Sequence, residues 1–457
     1  MTTKRLLEIA KNTMEQARER NEVDQVQVAA FQVNSALTRY ANSQIHQNVA
    51  SNKGGIAIKV VTGGRIGTLL VNSLEKGQIK DAVTDAVKIA RVTPPNKDFR
   101  SLPKPAKWIP INDVYHKETA ECTPDYRAER VKEAIDAAHS RSQLVKAVAG
   151  SFSTESLAFA VVNSLGTSAW TEIAVASIQT TVISKSGSSQ GFSSEEQHSR
   201  RIKDIDAAQV GGRAADRSIR SINPSKISIG EHEVVLSPRA VAGLFMYLGY
   251  IGFSATSFQD GQSFVKYNLG KRVFDKKLNV RDDPRDPKTL YSFSIDGEGV
   301  PKAKVQLVEE GRVSEKSICY DSFTAGKEKR MSTGHAIPPV FGFISRPMPF
   351  NILVTSGNAS VEEMIQETKR GIFITRFHYT NPVEPSKAIL TGLTRDGTFL
   401  IENGELTNPV RNLRYTDSML SALKTIPMIG KDLEILEDVT TPAMKLAKLR
   451  FTGITAH

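Results

Sequence analysis

Apolar residues recur at helical spacing at the start of the chain, where Leu6, Ala10, Met14 and Ala17 stand among Lys4, Arg5, Glu8, Lys11, Glu15, Arg18 and Glu19. That pattern predicts an amphipathic helix within residues 1–22 and contains no uninterrupted apolar stretch of the kind a signal sequence has. The period then changes. Residues 25–37 and 56–61 alternate as strands, and Thr62-Gly63-Gly64-Arg65 predicts a hairpin turn before a third strand over 66–71. The two glycines read as turn residues rather than a phosphate loop, because no Gly-Lys-Ser/Thr follows and the next helix, residues 75–91, comes only after another strand. Residues 93–110 hold five prolines among charged residues, which blocks helix and ladder alike and predicts a linker with a domain boundary near residue 105.

Thr123-Pro124 supplies an N-cap and a first helical residue for a helix over 125–140. Residues 147–153, 156–164 and 167–184 read as an antiparallel meander with Gly166 at a turn, and the Ser/Gly-rich stretch 184–194 reads as a polar loop. A helix over 205–221, the turn Asn223-Pro224 and a strand over 231–236 follow. Ser237-Pro238 again marks a helix start, and residues 240–253 are almost wholly apolar, too short to span a bilayer and so expected in a core or a subunit contact. The whole predicts an α+β (mixed) protein: an N-terminal α/β-hairpin domain over residues 1–105, a middle helix-plus-antiparallel-sheet domain over 106–224, and a larger β-rich C-terminal domain over 225–457.

The formal charge of +11 raises the question of nucleic acid, but the densest basic runs, Lys271-Arg272 and Lys327–Arg330, are interleaved with Asp275 and Glu328 nearby. No nucleic-acid-binding motif accompanies them, so the charge reads as a solvated surface. The two cysteines, Cys122 and Cys319, lack any CxxC or Cys/His spacing, which argues against a disulfide framework or zinc ribbon and fits a cytoplasmic protein.

The chemistry-bearing residues are few. His232-Glu233 begins like a zinc peptidase motif, yet Leu236 and Ser237 stand where a second histidine is needed. His335 and His378 are remote in sequence and free to meet in space. Asp282, Asp283 and Asp286 flank prolines and read as turn residues, as do Asp296 and Glu298. No G-x-S-x-G serine elbow is present.

Longer stretches carry a resemblance. Residues 53–67 (KGGIAIKVVTGGRIG), 235–239 (VLSPR), 261–264 (GQSF), 295–301 (IDGEGVP), 307–313 (LVEEGRV) and 391–405 (TGLTRDGTFLIENGE) occur in an order and spacing similar to the TldD/PmbA family. The three segments resemble that family's N-terminal, central and C-terminal domains, and the chain resembles its PmbA (TldE) type. The resemblance implies a dimer whose TldD-like subunit binds zinc with an HExxxH motif and a distant cysteine and hydrolyses peptides. Such a site needs imidazoles and a thiolate on the metal and a carboxylate to take the water's proton. Here the corresponding positions fall on Met246, Tyr247 and Ile251, and no cysteine follows the segment 428–432.

The resemblance thus implies a non-catalytic subunit without cofactor or metal of its own, with zinc in the partner. The expected partners are a TldD-like HExxxH subunit in a heterodimer, or a second copy in a homodimer, and an unfolded peptide; no membrane or nucleic acid is expected. Peptide contact is expected by strand addition at residues 390–401, with Arg376, Thr394, Arg395, Asp396 and Gly397 as candidates. Two other readings stay open: a self-sufficient metallopeptidase with an unrecognised site, and a binding regulator of the gyrase-modulator kind.

Overall fold

Local chemistry sets the helix starts. In the computed structural model, which describes residues 2–342 and 346–455, the Thr2 hydroxyl caps α1 (Thr3–Arg18), which buries Leu6, Ala10, Thr13, Met14 and Ala17. Three strands follow, β1 (Gln25–Ala41), β2 (Gln44–Thr62) and β3 (Arg65–Val71), and then α2 (Lys76–Val92). Gly63 and Gly64 make the β2–β3 turn with φ of 54° and 73°, the left-handed region that glycine enters freely. Next come α3 (Pro124–His139), capped by Thr123, and β4 (Val145–Asn163), β5 (Ser168–Ser186) and β6 (Ser189–Ser199). Asp206 caps α4 (Ala207–Arg220).

All six strands form one antiparallel sheet in the order β3-β2-β1-β4-β5-β6. Because β1 pairs with β4, the sheet continues across the proline-rich connector at residue 105. Helices α1 and α2 cover one end of one face over Val28, Ala30, Ile58 and Val162, and α3 and α4 cover the other end over Phe152, Ile178 and Val182. The opposite face presents Phe31 and Phe159 to Phe293 and Ile295 of the C-terminal region.

Three expectations are corrected here. β1 and β2 run to Ala41 and back from Gln44, well beyond the expected strands, because residues 44–53 of β2 are solvated on both faces and so show no apolar alternation. β4 is one strand, not two. The Ser/Gly-rich stretch expected to be a polar loop is β6 with its turn. Its small residues serve close packing: a Cβ on Gly191 would strike the Ser218 carbonyl of α4, and the buried Ser184 and Ser218 hydroxyls satisfy each other at 2.6 Å.

The second sheet has ten strands: β7 (Gly230–Leu236), β8 (Val280–Asp282), β9 (Val305–Val308), β10 (Ile352–Val354), β11 (Arg370–Glu384), β12 (Ile389–Glu402), β13 (Glu405–Pro409), β14 (Leu413–Ser418), β15 (Met428–Leu436) and β16 (Val439–Ile454). The order is β13-β12-β11-β7-β16-β10-β8-β9, with β14 pairing β12 and β16, and β15 pairing β16. Helix α5 (Pro238–Gly252) packs on β11 and β16, and its Leu244, Phe245, Leu248 and Ile251 join the largest core. No helix among the described residues is long and apolar enough to cross a membrane.

A buried guanidinium joins the two sheets. Arg239, at the start of α5, is 5% exposed; its Nε donates to Glu196 Oε1 of β6 at 3.2 Å, its Nη1 donates to the Ser194 carbonyl, and Glu195 lies 4.0 Å away. Arg217 of α4 pairs with Glu195 from the other side. Burial alone would raise the Glu196 carboxyl, but His198 and Arg239 overcome it and hold the group at about 2.

Two outcomes follow from this packing. A Cβ on Gly67 of β3 would strike the Ala86 carbonyl of α2, whereas Gly77 at the start of α2 faces open space. Gly67→Ala is expected to lower the urea-unfolding free energy by roughly 1–3 kcal/mol, and Gly77→Ala to leave it unchanged or raise it by up to about 1 kcal/mol. Since the folded-state pKa of Glu196 lies below its ordinary value, its pairing contributes stability above about pH 4.5 that is lost as pH falls towards about 2. Glu196→Gln should therefore cost roughly 1–3 kcal/mol at neutral pH, with the gap from the parent narrowing in unfolding curves taken down that range.

Candidate functional site

The start of α5 is fixed by its own sequence. Ser237 caps it, Pro238 presets the first turn, and the Ser237 hydroxyl also donates to the Thr375 carbonyl of β11, so the helix is pinned to the sheet at its first residue. One stripe stays open: Gly243, Met246, Tyr247 and Tyr250 fall on one side at spacings of three and four. Met246 is 40% and Tyr250 39% exposed, and the Arg346 guanidinium lies 4.7 Å from the centre of the Tyr250 ring. Of the three positions that the resemblance assigns to metal chemistry, Ile251 is buried, Tyr247 packs partly against the core, and Met246 faces solvent. One side of the helix packs on β11 and β16, which fits the expected core contact, and the side with Met246 and Tyr250 is exposed. A thioether, a phenol and a hydrocarbon do not fit zinc as two imidazoles and a carboxylate do.

The place of the cysteine loop is also filled differently. β15 turns directly into β16 through Glu437, at φ 53°, and Asp438. The Cys319 thiol is pushed well up by complete burial, and partial burial raises Cys122, so neither is a ready thiolate. The histidines are separately engaged. His232 sits on β7, bonded to the Ser228 carbonyl at 2.8 Å, while Glu233 pairs with Lys445. His335 is fully buried with Nε2 2.9 Å from Asp282, and burial followed by the Lys302 charge lowers its pKa. His378 lies beside Arg376 and Tyr379, and partial burial and the Arg376 and Arg395 charges lower it too. Among the described residues no three His, Cys, Asp or Glu side chains converge to hold a metal.

Of the aspartates expected in turns, Asp282 is instead the last residue of β8, fully buried, where it faces His335 and accepts from the Asn351 N–H, and the others are in turns. Asp283 and Asp286 accept from backbone N–H groups two residues on and pair with Arg281. Asp296 accepts from the N–H groups of Glu298 and Val300 at 2.9 Å each.

The strand expected to receive a peptide does not offer an edge. β12 pairs with β11 on one side and with β13 and β14 on the other. Asp396-Gly397, for which the sequence leaves a turn or a bulge open, forms a bulge, with φ of 60° and 118°. Its residues face inward: Asp396 pairs with Arg376 and its carbonyl accepts from Ser193 of β6 at 3.0 Å, and Gly397 lies against Arg217. The Thr394 hydroxyl accepts from the Leu413 N–H at 2.9 Å. Of the five candidates only Arg395 is exposed.

An open cleft of about 580 Å³ lies beside this joint, between β6 and β15, lined by Glu196, His198, Arg213, Lys431 and Glu434 among others. The Glu434 carboxyl is raised by burial and by Glu195. Sequence reasoning missed the β6 contribution because Gly191 and Ser193 are buried there and Phe192 is exposed, so no apolar alternation marks the strand.

Comparison with known proteins agrees with this picture. Residues 229–453 match the PmbA/TldA metallopeptidase C-terminal domain and residues 114–222 the central domain of the same family. Metalloprotease PmbA of Escherichia coli O157:H7 is 25% identical over 98% of this chain and 97% of its own length. A metalloprotease PmbA homolog of Haemophilus influenzae is 23% identical over 92% of this chain and 90% of its own. The fold is that of TldE from Thermococcus kodakarensis, with a TM-score of 0.88 at 21% identity over 97% of this chain and 100% of that one. With the two domain matches spanning most of its length, the chain belongs to the PmbA/TldD family of metallopeptidases.

Proposed function

We propose that this chain is the non-catalytic subunit of a heterodimeric metallopeptidase, enclosing and presenting unfolded peptides to a partner that carries HExxxH and zinc. The observation that carries the reading is α5, which starts at the Ser237-Pro238 of the family-like segment 235–239 and holds Met246, Tyr247 and Ile251 where the resemblance would put HExxxH. Its uncovered stripe of Met246, Tyr247 and Tyr250 has the aromatic and methionine character of an interface core. The cleft between β6 and β15 has both charge signs along its walls, which suits the alternating N–H and C=O groups of an extended peptide. Arg395, exposed beside the bulge, is the expected candidate left free to meet such a peptide.

Two measurements test this. Elemental analysis of the isolated chain after chelator dialysis should find well under about 0.1 zinc per chain; near-stoichiometric tight zinc would overturn the reading. Co-expression with an HExxxH-bearing relative should yield a complex that cleaves an unstructured peptide at least about a hundredfold faster than this chain alone. Changing the partner's motif Glu to Gln should remove that activity, and equal cleavage by this chain alone would refute the proposal.

A further inference from the structure

A cavity of about 500 Å³ lies where the first sheet meets the loops of the second. β1, β2 and β3 contribute Gln27, Lys59 and Thr68 to it, and the C-terminal region closes it with segments around Gln259, Glu298 and Asp321. Three carboxylates line it, Glu298 and Asp321 at 8% exposure each and Asp260 exposed, and a fourth, Asp296, is buried two residues from Glu298. One ammonium among the described residues pairs with this group, Lys59 at 3.4 Å from Glu298 Oε1. Burial and the Glu298 charge push Asp296 up to about 7 and also raise Asp321, as expected where negative charge lacks counter-charge.

A second, independent observation points to a ligand. Gln27 is 6% exposed and its Oε1 has no partner among the described residues. Thr256 Oγ1, Gln259 Oε1 and Ser322 Oγ, all on residues lining the same cavity, are also unpartnered. An amide oxygen only accepts hydrogen bonds, so Gln27 and Gln259 present two acceptors awaiting donors. Buried polar groups are normally satisfied, and four open ones around one cavity indicate that something else satisfies them. A group with several N–H donors and a positive charge answers both deficits at once. A metal ion does not, since no three ligating side chains converge there among the described residues.

The rim carries the opposite sign. Arg100 is exposed without an ion pair among the described residues, and Lys327 reaches only Asp98, at 3.8 Å. The lining also has apolar residues, among them Ile58, Leu102 and Ile337. A cavity of this size accommodates a few-residue ligand. We propose that this cavity binds a primary ammonium ligand, the free amino end of a short peptide, with the ammonium held by Glu298, Asp321, Gln27 and Gln259 and the carboxylate towards Arg100 and Lys327. The inference stands on the cavity and does not depend on the subunit reading above.

Isothermal titration of the full chain with Ala-Ala, N-acetyl-Ala-Ala, Ala-Ala amide and propylamine tests it. Ala-Ala is expected to bind; acetylation, which removes the charge and two donors, is expected to weaken binding at least about tenfold, and amidation several-fold. Glu298→Gln and Gln27→Leu should each weaken Ala-Ala binding about tenfold or more, with melting curves showing which variant keeps its fold. Ile229→Ala, at an exposed position outside the cavity and the cleft, should bind as the parent does. Absence of Ala-Ala binding up to about 10 mM, or equal binding of the acetylated peptide, overturns the proposal. Equal binding of propylamine and Ala-Ala overturns the peptide assignment, and unchanged binding by both variants overturns the location.

Discussion

The Arg239 guanidinium is the constraint around which the two sheets are arranged. A charge buried to this depth persists only where it is paired and hydrogen-bonded, because its desolvation is otherwise prohibitive. Neither sheet alone supplies that environment. Arg239 comes from the first turn of α5, and Glu195, Glu196 and the Ser194 carbonyl come from β6 of the other sheet. The same seam holds Arg217 against Glu195, Arg376 against Asp396, and Ser193 against the Asp396 carbonyl. Separating the sheets strands the Arg239 guanidinium and takes a partner from Glu196, so this contact specifies one relative placement of the two halves.

The cleft and the cavity described above both border the contact between the two halves. The cleft between β6 and β15 opens beside Glu196, and the cavity containing Gln27 and Glu298 lies where Phe31 and Phe159 meet Phe293 and Ile295 nearby. Ligand sites concentrate at such junctions because two rigid surfaces of unrelated sequence seldom close completely, and the groups left facing the gap are polar. Helix α5 is placed by the same arrangement. Ser237 pins it to β11 and Arg239 pins it to β6, so its outer stripe has a fixed orientation, with Met246 and Tyr250 exposed.

This organisation separates scaffold from chemistry. The cap, proline and arginine at the start of α5 serve packing between the sheets, whereas residues 246, 247 and 251 further along serve no cap and bear no such charge. A chain can therefore keep the first set and carry Met246, Tyr247 and Ile251 in the second without losing its fold. The metallopeptidase family and its fold are shared with relatives at identities near 25% for the same reason, since what specifies the architecture is spread over caps, turns and buried contacts.

By itself the sequence determined the elements whose signals are local: the caps Thr123, Ser237 and their prolines, the Gly63-Gly64 turn, the turn or bulge at Asp396-Gly397 and the amphipathic α1. The ordered stretches from residue 53 to residue 405 likewise carried the family. Tertiary structure alone decided the rest. Residues 44–53 and 189–199 are strands because their backbone groups find partners in β1 and β5, not because their side chains alternate. β12 is interior because β13 and β14 return to it, which no property of residues 390–401 could announce. Arg376 and Asp396 pair across neighbouring strands, Arg239 meets Glu196 across the two sheets, and Gln27 and Glu298, from distant parts of the chain, line one cavity. Pairing of backbone edges and burial of charge are properties of a neighbour's position, and that position exists only once the two sheets have met.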